Sequence, residues 1–139
     1  PAAVVVSRSP DFSSSWRFFD QPLQRWLLAP EPVDQGFDRW FPLAPTWPER
    51  LKALGAAGIQ RLVLLGGAQL SADLLQADCV DTLQLTLVPQ LLGGRFSWLP
   101  CTDVPLPAAL AQPGAWQSEG AEDLGDGEWL VRYRRIRPG

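Results

Sequence analysis

Gly58-Ile59-Gln60-Arg61-Leu62-Val63-Leu64-Leu65-Gly66-Gly67-Ala68-Gln69-Leu70 is the stretch that decides the fold. From Gln60 to Leu65 the run is almost continuously apolar, the pattern of a strand covered on both faces. Gly66-Gly67 ends it. Leu70, Leu74 and Ala77 then recur at helical spacing, which predicts a helix from Ala68 to Asp78. A strand, a two-glycine turn and a helix in immediate succession belong to an α/β domain.

Upstream, Thr46-Trp47-Pro48-Glu49 fits a capping box with proline in the first turn. Leu51 and Leu54 give that segment an apolar face, and Gly58 stands where a helix-ending glycine belongs. The pattern predicts a helix from Trp47 to Ala57. Further back, Val4-Val5-Val6 and Gln24 to Ala29 read as strands, with a short strand near Phe41. Between the first two lies an aromatic loop holding Trp16, Phe18 and Phe19.

Downstream, Thr82 to Val88 alternates, with Leu83, Leu85 and Leu87 on one face. Leu91-Leu92-Gly93-Gly94 reads as a turn, and residues 95–114 as a proline-rich loop. Ala115 to Asp123 and Glu128 to Ile136 form a hairpin around Leu124-Gly125-Asp126-Gly127. Arg132 and Arg134 fall on one face of the last strand, which is read as a solvated edge strand. Strands alternating with helices and closed by a hairpin give an α/β domain with a mixed sheet.

Composition limits the chemistry. The chain has 139 residues, with 46% hydrophobic and 19% charged, an ordinary globular balance. A net charge of −3 speaks against a general nucleic-acid binder. No apolar run is long enough to cross a bilayer, and no secretory signal opens the chain, so a cytoplasmic location without membrane contact is expected. The chain has two cysteines, Cys79 and Cys101, and no histidine. That excludes Ser-His and Cys-His nucleophile schemes and most catalytic zinc sites, so no metal site is expected. The chemistry must come from a cofactor, a carboxylate or the backbone.

Two loops are candidate sites. Gly66-Gly67 lets backbone approach a ligand closely, and the helix that follows offers free N–H groups and a positive dipole end to a phosphate. It is neither GxGxxG nor a P-loop, and spacing alone leaves a tight structural turn equally open. Ser7-Arg8-Ser9 follows the first strand, where open α/β sheets carry ligands. Two hydroxyls and a guanidinium suit a monophosphate, and an ordinary polar turn is the alternative.

The ordered run of Gly66-Gly67, Val80-Asp81 and Pro89-Gln90-Leu91-Leu92-Gly93-Gly94 resembles the reductase domain of riboflavin biosynthesis, the RibD C-terminal domain family. The likeness extends over about Val4 to Arg135. It implies a dihydrofolate-reductase-like, three-layer α/β/α sandwich with a mixed, mostly parallel sheet. Val4 to Ser7, Arg61 to Leu65 and Thr82 to Val88 would be its central strands. It implies NADPH as cofactor, with Gly66, Gly67, Ala68 and Gln69 at the pyrophosphate and Ser7 and Arg8 at the 2′-phosphate. The Gly66-Gly67 peptide would be cis. The substrate would be a phosphoribosylamino-pyrimidine whose ribose is reduced to a ribityl chain.

Two departures accompany the resemblance. Leu65 stands where many members carry Glu beside the substrate. The strand, helix and glycine turn that open the family's domain have no counterpart before Pro1, so an N-terminally truncated single domain is expected, with a gap in its sheet. No catalytic residue is assigned, and Asp81 is family-like or simply a cap. Apolar surface left by the strands leads to the expectation of a homodimer. The alternatives are a pterin reductase of the dihydrofolate type and a non-catalytic dimerisation or binding module.

Overall fold

The computed structural model describes residues 1–9, 11–33, 36–65, 67–91, 93, 97–99 and 105–137. The chain divides into two compact units, Pro1–Arg61 and Leu62–Gly139.

The first unit holds three parallel strands in the order β1-β2-β3 and one helix. The strands are β1 (Ala2–Val6), β2 (Gln24–Ala29) and β3 (Arg39–Pro42), and the helix is α1 (Trp47–Ala56). Ala2 pairs with Gln24 and Trp26 with Arg39, so all three strands run the same way. β2 is central, and Trp26 to Ala29 are buried on both of its faces. On one face Trp26 and Leu28 pack with Leu54 of α1, joined by Val4, Val6, Phe41, Leu51 and Ile59.

The ends of α1 form as the local chemistry dictates. Thr46 caps the helix, its hydroxyl accepting from the Glu49 N–H, while the Glu49 carboxylate accepts from the Thr46 N–H. The Thr46 hydroxyl also donates to the Glu49 carboxylate at 2.8 Å, and this bond first, then that from the Thr46 N–H, holds the carboxyl below its ordinary pKa. At the other end Gly58 has φ +106°, its N–H reaching Gly55 O, while Ile59 N–H reaches Leu54 O. This is a Schellman motif, in which a left-handed glycine lets the chain turn back onto the helix.

The second unit holds the helix α2 (Ala68–Gln76), the strand β4 (Thr82–Leu87), a single turn α3 (Ala108–Ala111), and the strands β5 (Trp116–Gly125) and β6 (Glu128–Arg135). The sheet is antiparallel in the order β4-β6-β5. The β5–β6 hairpin closes through Asp126 and Gly127 alone, at φ +53° and +79°. Both central residues lie at positive φ, as the preferred two-residue hairpin turn requires.

Four expectations need correction. Arg61 to Leu65 forms no strand. A strand requires a hydrogen-bonding neighbour, and this run joins neither sheet among the described residues. Its apolar side chains stay in solvent, Val63 at 76% and Leu65 at 94% exposure. The tail strand β6 is central to its sheet, not an edge, because both β4 and β5 pair with it. The segments expected to be central, Val4 to Ser7 and Thr82 to Val88, correspond to β1 and β4, each an edge of its own sheet. In place of one mostly parallel sheet there are two sheets among the described residues, one parallel and one antiparallel.

Arg132 and Arg134 do share the exposed face of β6. Arg132 donates to Gln84 at 2.9 Å, and Arg134 pairs with Glu119 at 3.1 Å and Gln117 at 2.9 Å. The basic tail is thus matched by its own sheet.

Candidate functional site

Ser7 and Arg8 sit at the carboxyl end of β1. The Ser7 N–H still reaches Leu28 O at 3.0 Å, so β2 holds the start of the loop in place. The Ser7 hydroxyl donates to Ser9 O and accepts from the Ser9 N–H at 3.2 Å, a local turn of the kind serine favours. Ser7 is half-buried and Arg8 is exposed. The carboxyl end of a parallel strand is where ligands meet open α/β sheets.

Gly67 opens α2 as its N-cap, at φ +95° and ψ +98°, and no side chain caps the helix. A side chain rarely adopts this backbone conformation, which explains the glycine. Among the described residues, a Cβ built there would meet Leu70 Cβ at 3.8 Å, an ordinary van der Waals contact. Gly67 is exposed, and the first N–H groups of α2 have no partner within the helix. Ala68 is half-buried, and Gln69 bends back along the helix to Asp73 Oδ1 at 3.0 Å. Gly66, and with it the peptide joining it to Gly67, lies outside the described residues, as does Cys101. Ser7 and Arg8 belong to the first unit and Gly67 to Gln69 to the second.

The other end of α2 carries a feature that sequence reasoning missed. Asp78 has φ +49°, its N–H reaching Leu75 O at 2.9 Å, while Cys79 N–H reaches Leu74 O at 2.9 Å. This is a second Schellman turn, with Asp where Gly is usual. The Arg135 guanidinium, 2% exposed, forks onto Asp78 at 2.9 and 3.0 Å and reaches Ala115 O at 3.0 Å. Arg137 binds Asp81 at 2.7 Å and the Asp78 carbonyl at 2.8 Å. The Arg135 hydrogen bonds hold the Asp78 carboxyl below its ordinary pKa, and the Asp81 bond raises that of Arg137. Burial pushes the Cys79 thiol up, which keeps it protonated and unreactive. Asp81 therefore serves as a partner of Arg137. Nothing local in the sequence connects Asp78 and Asp81 with Arg135 and Arg137, 57 and 56 residues away.

A cavity of about 110 Å³ lies among Phe12, Ser14, Phe19 and Gly36. Phe12, Phe18, Phe19 and Phe37 meet around it in tilted and edge-to-face pairs. Arg25 and Asp38 fasten this cluster at the amino ends of β2 and β3, away from the carboxyl end of β1. It is a satellite core under a long loop, well below the size of a ligand site. No helix among the described residues is long and apolar enough to cross a membrane.

Known proteins resemble this chain in sequence and in fold. It is 30% identical over 132 residues to the riboflavin biosynthesis protein RibD of Haemophilus influenzae, covering 91% of this chain and 35% of that protein. Its structure is similar to a Thermotoga maritima diaminohydroxyphosphoribosylaminopyrimidine deaminase/5-amino-6-(5-phosphoribosylamino)uracil reductase, with a TM-score of 0.74 at 17% identity, over 98% of this chain and 38% of that one. Acinetobacter baumannii RibD gives a TM-score of 0.75 at 18% identity, over 96% and 37%. At these identities the solved structures speak for the fold. The chain spans about a third of the length of these relatives. The model of the RibD C-terminal domain family matches residues 1–127, and the chain belongs to that family.

Proposed function

We propose that this chain forms part of a single reductase domain that uses NADPH to reduce the ribose of a 5-amino-6-(phosphoribosylamino)uracil-type substrate to a ribityl chain, a step of riboflavin biosynthesis. The observation that carries this reading is Gly67, an exposed N-cap at φ +95° with no side-chain cap, inside a chain of this family. The chemistry fits a phosphate, because a helix N-terminus without a side-chain cap offers both N–H donors and a positive dipole end. The backbone of Gly66, Gly67, Ala68 and Gln69 would hold the pyrophosphate. Ser7 and Arg8 would hold the 2′-phosphate, the Ser7 hydroxyl giving up its bond to Ser9. When bound, NADPH supplies the hydride. The protein's part is to orient the reactants and exclude water. The reaction takes place in the cytoplasm.

The test is oxidation of NADPH by the protein carrying the whole reductase domain. Turnover with the phosphoribosylamino-pyrimidine and none with dihydrofolate supports the reading. Turnover with dihydrofolate alone favours a pterin reductase. Absence of both, in a folded protein, favours a binding module.

Arg8→Ala should weaken NADPH far more than NADH, because the two differ only in the 2′-phosphate. A charge-assisted hydrogen bond of this kind contributes about 1.5–3 kcal/mol, roughly ten- to a hundredfold in affinity. Equal loss for both cofactors, by fluorescence titration, would remove Arg8 from that role.

We propose further that residues 61–65 are a strand in the complete domain, joining a mixed sheet within a three-layer α/β/α sandwich. Support comes from four consecutive exposed apolar residues, Leu62 to Leu65, a surface that soluble proteins normally cover. Amide hydrogens of residues 62–65 should exchange slowly in the complete domain and fast in this chain alone. Equally fast exchange in both would end the idea. Light scattering on the same samples reads the proposed homodimer, and a monodisperse monomer would refute it.

A further inference from the structure

We propose that the Asp78–Arg135 clamp is a positioning device for the cofactor-binding end of α2. The proposal rests on the reading that Gly67, Ala68 and Gln69 hold the pyrophosphate. Three observations lead to it, all within the second unit.

First, Asp78 takes a left-handed backbone conformation at the residue where α2 turns away, a place that favours glycine. Strained backbone persists where the surroundings over-determine it, and it gathers where geometry matters. Second, what holds it is a buried guanidinium. Both terminal branches of Arg135 are engaged, on the two Asp78 oxygens and on Ala115 O, while its own N–H reaches Asp81 O at 2.8 Å. One residue, through its side chain and its backbone N–H, thus ties the end of α2, the entry to β4, the start of β5 and the end of β6 together. Arg137 adds a second tie to the same turn, through Asp78, Val80 and Asp81. Third, at the opposite end of α2 no side-chain cap holds Gly67 among the described residues.

A helix of nine residues is about 13 Å long, so a tilt of about 10° at the clamped end moves the open end by about 2 Å. Displacements of that order are enough to spoil a site that works by placement. Leu74 and Leu75 bury the C-terminal half of the helix, and the clamp fixes its direction.

The experiment compares Asp78→Asn, Arg135→Lys and Arg137→Ala with the parent, in the protein carrying the whole reductase domain. NADPH and NADH are titrated well below each variant's melting temperature, and KM and kcat are measured for both. Asp78→Asn and Arg135→Lys should raise the dissociation constant and KM about fivefold, equally for the two cofactors, with kcat at saturation unchanged. Coupling through packed networks has this size. Equality is expected because the pyrophosphate is common to both cofactors. Arg137 is exposed, so Arg137→Ala should fold and give a smaller rise, about twofold, which keeps the test alive if the other two variants do not fold. A lower melting temperature with unchanged cofactor affinity in every folded variant would overturn the proposal and leave a purely structural clamp. Should the parent bind dinucleotide and Gly67→Val lose it while the clamp variants stay normal, only this proposal falls. A folded parent that binds no dinucleotide would end both this proposal and the site reading beneath it.

Discussion

Gly67→Val should abolish detectable NADPH binding, a loss of at least about a hundredfold or roughly 2.7 kcal/mol. Two effects act together. At φ +95° any side chain strains the backbone, and a β-branched one strains it most. The new side chain would also stand beside the N-terminus of α2, its Cβ against Leu70 Cβ. A phosphate drawn to the first N–H groups needs that space. Helix α2 itself should survive, because its hydrogen bonds begin with Ser71 N–H to Gly67 O and Leu74 and Leu75 remain buried. Circular dichroism checks the fold and fluorescence titration the binding. Gly67→Ala, with one carbon added and the same φ imposed, should show a smaller loss. A folded valine variant that binds NADPH as the parent does would reduce Gly67 to a structural turn.

The second large effect is on stability. Arg135→Ala should cost about 3 kcal/mol, the lower end of the range for breaking one side of a buried ion pair. The lower end applies because Asp78 retains 34% side-chain exposure and can be rehydrated. Deleting the guanidinium leaves the Ala115 carbonyl without that donor and Asp78 in a strained conformation without its clamp. With total stabilities near 5–15 kcal/mol, such a loss is easily read from denaturant unfolding. Arg137→Ala, at the exposed pair with Asp81, should cost no more than about 1 kcal/mol.

The pair also has a pH signature. Arg135 lowers the Asp78 pKa in the folded state from its ordinary 3.8. The folded carboxyl therefore releases its proton more readily than the unfolded one. Its contribution is complete above 3.8 and is lost as pH falls through the lower folded value. In Arg135→Ala that part of the acid-side decline should vanish. An Arg135→Ala protein as stable as the parent, with the same acid profile, would show that the pair contributes nothing net.

The sequence alone determined the local elements, because their causes are local. Thr46, Pro48, Glu49 and Gly58 set both ends of α1 within a dozen residues, and the structure places it at Trp47–Ala56. Asp126-Gly127 alone closes the hairpin, and Leu70 and Leu74 set the period of α2. The order of the glycine, Val80-Asp81 and Pro89 motifs carried the family. Tertiary structure decided everything that needs a distant partner. Apolar content made residues 61–65 look like a strand, but a strand exists only where another backbone accepts its hydrogen bonds. Alternation put Arg132 and Arg134 on one face of β6, yet whether β6 is an edge depended on β4 and β5 arriving on either side. The Asp78–Arg135 clamp joins residues 57 apart in sequence, and no pattern within either segment announces it. Pairing is a property of where the chain returns, and the order of residues fixes that only through the whole fold.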